Sequence, residues 1–372
     1  MVLKNVIIKS IVLLSKALNL PKRNICVKPR RFLIVSPAGV GDTLWATPAV
    51  RALKETYPDS YLGVLVTKTG GEILKGNPNI DELFIFKSGF IGFFSLLTLL
   101  KDLRQKKFDV AFMFHAWDRI VWLICYFTGA GKIIGFKGTR GKRLDFILTK
   151  AITVRGDVCH QIEKYLVLVK DVNACTSKKN MQIYLENSER EAIKQFLDNK
   201  DSDKKSLLVG LHPGGRHVYK RWDPKNFVAV GNALVEKFNC KIILTGSPEE
   251  KRLNSEIASK IKNAVTVAGL LDIRMITALI EKLDAFITND TGPMHIALAL
   301  KKPVIALFSP TNPQAYGPYH CDGAFIIAKP VPEECKPCKG NKCFKPFCMD
   351  QITVEEVIAE TEMLLRKMSG YS

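Results

Sequence analysis

The sequence places unusual polar residues in three loops, each of which directly follows a short apolar run. In the first loop, Ser36–Thr43, two glycines let the backbone turn tightly and approach a ligand, and Asp42 comes at the start of the helix that follows. The loop contains neither the Gly-Lys-Ser/Thr of a P-loop nor a full G-x-G-x-x-G pattern. Asp42 is therefore predicted to face a ligand, and its neighbours Gly41 and Thr43 are candidate ligand-binding residues. The alternative is an aspartate that only caps the helix or balances its dipole.

The second loop combines paired glycines with adjacent cations. Its candidate ligand-binding residues are His212, Gly214, Gly215, Lys220 and Arg221. The glycines offer backbone N–H groups and the cations offer fixed positive charge, which together suit a diphosphate. The alternative is a solvated turn whose cations serve solubility, but Trp222 is a residue type that such a turn rarely carries.

The third loop opens a helix that runs to Leu300. Its candidate ligand-binding residues are Asp290, Thr291, Gly292 and His295. Asn289 or Asp290 is expected to cap the helix, and the free amides at the helix start favour an anion. His295 is expected either to touch that anion or to be an ordinary packed histidine.

Four cysteines follow near the end of the chain, with the spacing Cys335-x₂-Cys338-x₄-Cys343-x₄-Cys348. Four thiols this close in sequence suit a structural Zn²⁺ or an iron–sulfur cluster. Two disulfides or four free thiols are the alternatives, because the second half of the spacing is not that of a standard zinc finger.

Short apolar strands alternate with helical patterns along most of the chain, which predicts parallel sheets covered by helices. The predicted strands are 32–36, 62–66, 83–86, 110–114 and 133–136 in a first series, and 207–211, 241–245, 265–267, 285–288 and 304–308 in a second. We predict a basic amphipathic segment at 1–30 and one Rossmann-like domain at 31–185. A second Rossmann-like domain is predicted at 186–350, with the cysteine-rich loop 335–348, and a C-terminal helix at 351–372 is expected to pack back. The three polar loops then lie at the carboxyl ends of strands, where open α/β sheets bind ligands.

Composition narrows the class of protein. The chain has 372 residues, a mean hydropathy of +0.05 and 47% hydrophobic residues, values of a folded globular protein. Ten cysteines are too few for a secreted disulfide scaffold, so a reducing cytosol is expected. The net charge of +19 favours phosphate-rich partners. Residues 1–20 carry apolar residues at helical spacing with interspersed lysines, which fits a helix lying on an anionic membrane surface or, alternatively, one packed on the folded body.

The three loops closely resemble those of the ADP-heptose:lipopolysaccharide heptosyltransferases, glycosyltransferase family 9. The resemblance is carried by Arg31–Ala49 around Asp42, by His212–Gly215 with Lys220–Trp222, and by Asn289–Ala297. It extends over about residues 31–365, with the motifs in the same order and spacing.

This resemblance implies an α/β fold of the GT-B type, in which two Rossmann-like domains face each other across a cleft. The domain at 31–185 would bind the acceptor and the domain at 186–350 the nucleotide sugar, with Gly41 and Thr43 counted among the residues that bind that sugar. Asp42 would be the catalytic base that takes the proton of the acceptor hydroxyl, and Lys220 would neutralise the diphosphate leaving group. The helix start near Thr291 and His295 would assist Lys220. No metal or cofactor is expected for catalysis, and the Asp-x-Asp string Asp201–Asp203 is interpreted as solvated linker.

The segment after the strand at 241–245 adds two candidates for nucleotide binding, Gly246 and Glu250. In folds of this type a carboxylate at this place often holds the ribose hydroxyls. Glu250 is favoured over Glu249 for that role, and two solvated glutamates at a helix start are the alternative.

Two classes of function follow. The first is an inverting, metal-independent glycosyltransferase that moves a sugar, with heptose from ADP-heptose as the leading case, to a lipid-linked saccharide such as lipopolysaccharide core at the inner face of the cytoplasmic membrane. The alternative is a non-catalytic basic protein that keeps the GT-B fold and binds membrane or nucleic acid. The sequence lacks the aromatic-rich basic strands of RNA-binding modules, so nucleic acid is not expected as a partner.

Overall fold

The fold is built from two compact units that divide between Lys179 and Asn180. The structure, a computed structural model, describes residues 28–87, 92–115, 119–138, 144–154, 156, 160–198, 206–335, 338, 340, 343 and 347–369. The predicted helix at 1–20 and the string Asp201–Asp203 lie outside these residues.

The first unit contains one parallel sheet of six strands in the order β3-β2-β1-β4-β5-β6. Its strands are β1 Arg31–Val35, β2 Tyr61–Thr67, β3 Glu82–Phe86, β4 Val110–Met113, β5 Lys132–Phe136 and β6 Lys150–Ile152. Its helices are α1 Val40–Trp45, α2 Thr47–Thr56, α3 Lys68–Leu74, α4 Gly92–Gln105, α5 Arg119–Phe127 and α6 Gln161–Val169. The central strands are buried along almost their whole length because helices cover both faces of such a sheet.

The second unit repeats this plan, with the sheet order β12-β11-β10-β7-β8-β9. Its strands are β7 Leu208–His212, β8 Lys241–Leu244, β9 Ala264–Thr266, β10 Ala285–Asn289, β11 Val304–Phe308 and β12 Ala324–Ala328. Its helices are α7 Asn187–Asp198, α8 Pro224–Phe238, α9 Lys251–Ala258, α10 Ile273–Lys282, α11 Gly292–Ala299, α12 Pro313–Tyr316, α13 Phe347–Asp350 and α14 Val354–Ser369. Both sheets therefore have the strand order of a Rossmann fold.

The predicted α/β class is confirmed, and all ten predicted strands are present within a few residues. The predictions omitted the two edge strands β6 and β12. The first of these has only three residues and is largely exposed, so it carries no hydrophobic run. The second, with the sequence AFIIA, is an apolar run of the kind that predicts a strand.

A capping box opens the last helix. The backbone N–H of Thr353 donates to the Glu356 carboxylate at 3.0 Å, and the backbone N–H of Glu356 donates to the Thr353 hydroxyl at 3.2 Å. Helix α14 packs on α8 within the second unit. None of the helices in the described part of the chain combines the length and apolar character needed to cross a membrane.

Each sheet has a topological switch point, where the chain first runs to one side of a strand and then returns to the other. In the first unit the switch lies between β1 and β4, and in the second between β7 and β10. The connections that leave the carboxyl ends of these strands diverge there and open a crevice at the sheet edge. The three loops selected from the sequence leave β1, β7 and β10, which are three of these four strands.

Candidate functional site

Asp42 lies in the first turn of α1, directly beyond the carboxyl end of β1. The N-cap residue is Gly39, and Thr43 anchors the turn through its hydroxyl, which donates to the Gly39 carbonyl at 2.9 Å. Burial raises the pKa of Asp42 to about 6, against the lowering effect of the backbone N–H groups of Gly39 and Asp42 itself. Asp42 is thus a residue of the first helical turn, and the proton affinity of its carboxyl suits a base near neutral pH.

A histidine that the sequence analysis did not select lies beside this carboxylate. His115 Nδ1 is 3.5 Å from Asp42 Oδ1, and burial lowers the pKa of His115 to about 4. The residue follows β4 by two positions, and β4 is the direct neighbour of β1. Nothing in the sequence reveals that neighbourhood, because strand order depends on tertiary structure.

In the second unit, Lys220 is held by an aspartate of the third loop. Its Nζ lies 2.6 Å from Asp290 Oδ2, and the Thr311 hydroxyl donates to the same oxygen at 2.6 Å. The Lys220 side chain is 18% exposed and that of Asp290 is 7% exposed. The alternative of a solvated turn is therefore wrong for Lys220, whose charge is fixed in a partly buried place.

The backbone of this cationic loop is anchored through Trp222, which is fully buried. Its indole Nε1–H donates to the Ile352 carbonyl at 3.0 Å, and its backbone N–H donates to Asn289 Oδ1 at 3.1 Å. The Asn289 amide in turn donates to the carbonyls of Pro213 and Gly214, each at 3.0 Å. One asparagine at the end of β10 thus ties the second and third loops together.

The paired glycines of the second loop are tied to Glu250. Gly215 N–H donates to Glu250 Oε1 at 2.6 Å, and Ser247 N–H donates to Oε2 at 2.9 Å. A Cβ at position 214 would lie 2.3 Å from this carboxylate, so Gly214 has to be a glycine, and Gly215 has a φ of +148°. Arg221 approaches from the other side, with its guanidinium 3.6 Å from Oε1 and its Nε–H donating to the Gly215 carbonyl at 2.8 Å.

These contacts control the ionisation of Glu250. Burial raises its pKa, but the N–H groups of Ser247 and Gly215, with His212 and Arg221, outweigh burial and lower it. The carboxylate is buried, whereas the neighbouring Glu249 is exposed, so the alternative of two solvated glutamates is wrong for Glu250.

The remaining predicted residues lie around the same strand ends. His212 is buried with its Nδ1 3.0 Å from the Thr245 hydroxyl, and burial lowers its pKa. Gly246 packs tightly against the side chain of Asn254. His295 is buried in the first turns of α11.

The expectation that Asn289 or Asp290 caps α11 is wrong. The N-cap is Thr291, whose side chain makes no capping hydrogen bond, and Gly292 is the first residue of the helix. The two earlier side chains are committed elsewhere, Asn289 to the second loop and Asp290 to Lys220. Within the described residues the N-cap side chain leaves the amides of the helix start uncapped, and amides in this position suit an anion.

The four cysteines are brought near one another in the described residues. Burial, then Glu334 and the thiols of Cys343, Cys348 and Cys338, raise the pKa of Cys335. The backbone N–H of Gly340 lies 3.4 Å from Cys338 Sγ. Among the described residues, however, no three Cys, His, Asp or Glu side chains are already arranged to hold a metal ion.

Two parallel sheets of Rossmann order in one chain give the α/β plan of GT-B-type proteins, with a half-buried carboxylate at one switch point and a fixed cation beside a glycine-containing loop at the other. Residues 96–347 match the model of glycosyltransferase family 9 (heptosyltransferase). The chain belongs to this family and is a glycosyltransferase, so a non-catalytic binding protein is not favoured.

Individual proteins agree with this assignment. The chain is 26% identical over 298 residues to the lipopolysaccharide core heptosyltransferase OpsX of Haemophilus influenzae, a match that covers 78% of this chain and 82% of that protein. Its fold is similar to the crystal structure of a family 9 glycosyltransferase from Veillonella parvula, with a TM-score of 0.79, 22% identity and coverage of 93% and 99% of the two chains. The structure of ADP-heptose lps heptosyltransferase II of E. coli gives a TM-score of 0.74 at 20% identity, with 91% and 99% covered.

Proposed function

We propose that this protein transfers heptose from ADP-heptose, or a sugar from a related nucleotide sugar, to a lipid-linked saccharide such as lipopolysaccharide core, with inversion and without a metal ion. The observation that carries the proposal is the grouping of Lys220, the Glu250-bound glycine loop and the start of α11 at the ends of adjacent strands. The printed names of the Haemophilus influenzae and E. coli relatives support heptose and lipopolysaccharide as the substrate classes.

The second unit would hold the nucleotide diphosphate. Lys220 is fixed by Asp290, so its ammonium can face a diphosphate oxygen without first being ordered. The backbone amides at the start of α11, where the N-cap side chain makes no capping hydrogen bond, would add partial positive charge for the same group. These donors would bind more strongly as the leaving group gains negative charge, which is the condition for lowering the barrier.

Asp42 would act on the acceptor. Above a pH of about 6 its carboxyl is mostly ionised, because burial raises its pKa only to that value. It would take the proton of the acceptor hydroxyl while that oxygen attacks the anomeric carbon. The bond from the anomeric carbon to the diphosphate breaks, and its electron pair leaves with the nucleotide diphosphate. Attack from the side opposite the leaving group inverts the anomeric configuration.

A binding screen followed by a transfer assay tests this function. We expect ADP-heptose to raise the melting temperature of the purified protein more than UDP-, GDP- or other ADP-sugars do, and to be consumed when lipopolysaccharide core acceptor is added. If another nucleotide sugar raised the melting temperature more, that sugar and not ADP-heptose would be the donor. Binding without consumption of any donor, across core acceptors of different length, would contradict transfer.

We also propose that the enzyme works at the inner face of the cytoplasmic membrane through residues 1–20. The support is the sequence, in which apolar residues at helical spacing alternate with lysines. The protein is expected to co-sediment with anionic liposomes and not with zwitterionic ones, and a variant without residues 1–20 is expected to stay in solution. Equal sedimentation of the two proteins would contradict this role.

A third proposal is that Cys335, Cys338, Cys343 and Cys348 hold a structural Zn²⁺ or iron centre. The proximity of the thiols and the N–H of Gly340 near Cys338 Sγ support it, because backbone N–H groups commonly stabilise a metal-bound thiolate. Metal analysis of the purified protein should find stoichiometric metal that is lost in Cys338→Ser and kept in the exposed control Cys175→Ser. Equal metal content in the two variants would exclude the site.

A further inference from the structure

His115 is fixed next to the loop that carries Asp42 by the pairing of their two strands. β1 and β4 pair in parallel, with Val35 opposite Met113. Beyond the strand, the backbone N–H groups of Phe114 and His115 both point to the Val35 carbonyl, at 3.0 and 3.3 Å. The chain that leaves β1 toward Asp42 and the chain that leaves β4 therefore start from the same backbone contact.

The two side chains meet beyond this contact. Asp42 Oδ1 and His115 Nδ1 are 3.5 Å apart, and their side chains are 29% and 19% exposed. A small side-chain rotation brings a pair at this separation to an ordinary hydrogen-bond distance of about 2.9 Å. Contacts of this kind are often long before substrate is bound.

The protonation states decide which way such a hydrogen bond runs. Burial lowers the pKa of His115 to about 4 and raises that of Asp42 to about 6, so near neutral pH the imidazole is neutral and the carboxylate is ionised. A neutral imidazole carries one N–H. If the bare Nδ1 faced the carboxylate, two lone pairs would oppose each other, so the tautomer with Nδ1–H toward Asp42 is favoured.

We infer that His115 is a positioning residue for Asp42, whose Nδ1–H donates to Oδ1 and orients the carboxylate toward the acceptor hydroxyl. The inference rests on the proposed role of Asp42 as the base. His115 stays neutral throughout, and the proton of the acceptor hydroxyl ends on Asp42. A donor to the ionised carboxylate also stabilises that form, which counters the effect of burial.

Other charged side chains lie on the helices packed against α1. The helices that contact α1 are α2, α3 and α6. Within the described residues, the charged side chains of these helices form no ion pair with Asp42; they are Arg51, Lys54, Glu55, Lys68, Glu72, Glu163 and Lys164. His115 is thus the titratable partner within 4 Å of this carboxylate in the part of the chain that the structure describes.

The pH dependence of kcat/KM in three variants tests the inference, because its acid limb reports the pKa of the base in the free enzyme. His115→Leu removes the donor but keeps an apolar side chain, and should move the acid limb up by about one pH unit. His115→Asn places an amide N–H where Nδ1 stands, and should keep the limb of the native enzyme. Should the leucine variant not fold, His115→Gln replaces it, since its amide reaches the position of Nε2 instead, and its limb should rise likewise.

The outcomes separate this inference from the proposed function. An upward shift in the leucine or glutamine variant that is absent in the asparagine variant supports positioning. An unchanged limb in the leucine or glutamine variant, or an equal shift in the asparagine variant, overturns it. Asp42→Asn is measured in parallel. Full turnover in that variant would contradict the assignment of Asp42 as the base. If Asp42→Asn is inactive while the His115 variants keep the native acid limb, only the role of His115 is contradicted.

Discussion

The two units of this protein share one topology but carry opposite chemistry at the same topological place. At the switch point of the first sheet lie a carboxylate and a neutral imidazole, Asp42 and His115. At the switch point of the second sheet lie a fixed ammonium, a glycine loop and the start of a helix, all suited to an anion. The comparison shows that the strand order selects where a site forms and that the loop residues select its chemistry.

The two sites also differ in how their charged groups are stabilised. Lys220 is held by Asp290, and Glu250 by the N–H groups of Gly215 and Ser247. Trp222 anchors the loop of Lys220 to the Ile352 carbonyl, just before the last helix. Asp42 has little more than the N–H groups of its own turn, so burial dominates and raises its pKa. In the proposed function, this difference suits the second unit to rigid binding of the diphosphate and Asp42 to accepting a proton.

Asp42→Asn should separate the two units most sharply. We expect transfer to fall about 1,000-fold or more, because the amide cannot accept the hydroxyl proton. Binding of ADP should be unchanged, since the residue belongs to the first unit. Steady-state rates and calorimetric ADP affinity measure both effects, with the exposed Asp59→Asn as the matched control. Loss of ADP affinity in Asp42→Asn would contradict the assignment of nucleotide binding to the second unit alone.

Lys220→Ala should affect both binding and rate. Loss of the ammonium removes a charge that the diphosphate meets in the ground state and more strongly in the transition state, so kcat/KM should fall about 100-fold. ADP affinity should fall as well, by a smaller factor. The exposed Lys225→Ala serves as the control for a lost positive charge in the same region. Native ADP affinity in Lys220→Ala would show that the ammonium does not meet the diphosphate.

Gly214→Ala should disturb the second unit alone. The added Cβ would lie 2.3 Å from the Glu250 carboxylate, so the glycine loop has to move. The expected cost is about 1–3 kcal/mol in the free energy of unfolding, with weaker ADP binding. Denaturant titration measures the first effect and calorimetry the second. Gly156→Ala is the control, because a Cβ there meets nothing within 4 Å.

The pH dependence of kcat/KM in the native enzyme is the smallest of these expected effects. The pKa of Asp42, raised by burial to about 6, predicts that kcat/KM climbs as pH rises through about 6 and then levels off. ADP affinity should stay level over that range as far as Glu250 is concerned, because its N–H donors outweigh burial and lower its pKa. A matching acid limb in ADP binding would mean that a group of the second unit titrates instead.

Local sequence patterns predicted the buried strands but not the exposed edge strand or the cap of α11. The apolar runs predicted ten strands, since buried parallel strands are continuous hydrophobic segments. The three-residue, largely exposed strand β6 is too short to show such a pattern. The cap of α11 was assigned wrongly because Asn289 and Asp290 are good capping residues by type, yet partners distant in sequence occupy their side chains.

Glu250 was selected from the sequence, but its contacts with Gly215 and Arg221 join residues about 30 positions apart. His115 and Thr311 were missed altogether. Each acquires its place only because its strand lies beside β1 or β10, and no local pattern records which strands are neighbours.

The sequence by itself determined the alternation of strands and helices, the loops that bear chemistry and the family, since each is a property of residue types at short spacing. The tertiary structure alone decided the strand order, the partner of every charged side chain and the degree of burial that sets the proton affinity of Asp42. Those quantities depend on which distant segments meet and on how much water they exclude, and neither is written in any one stretch of the chain.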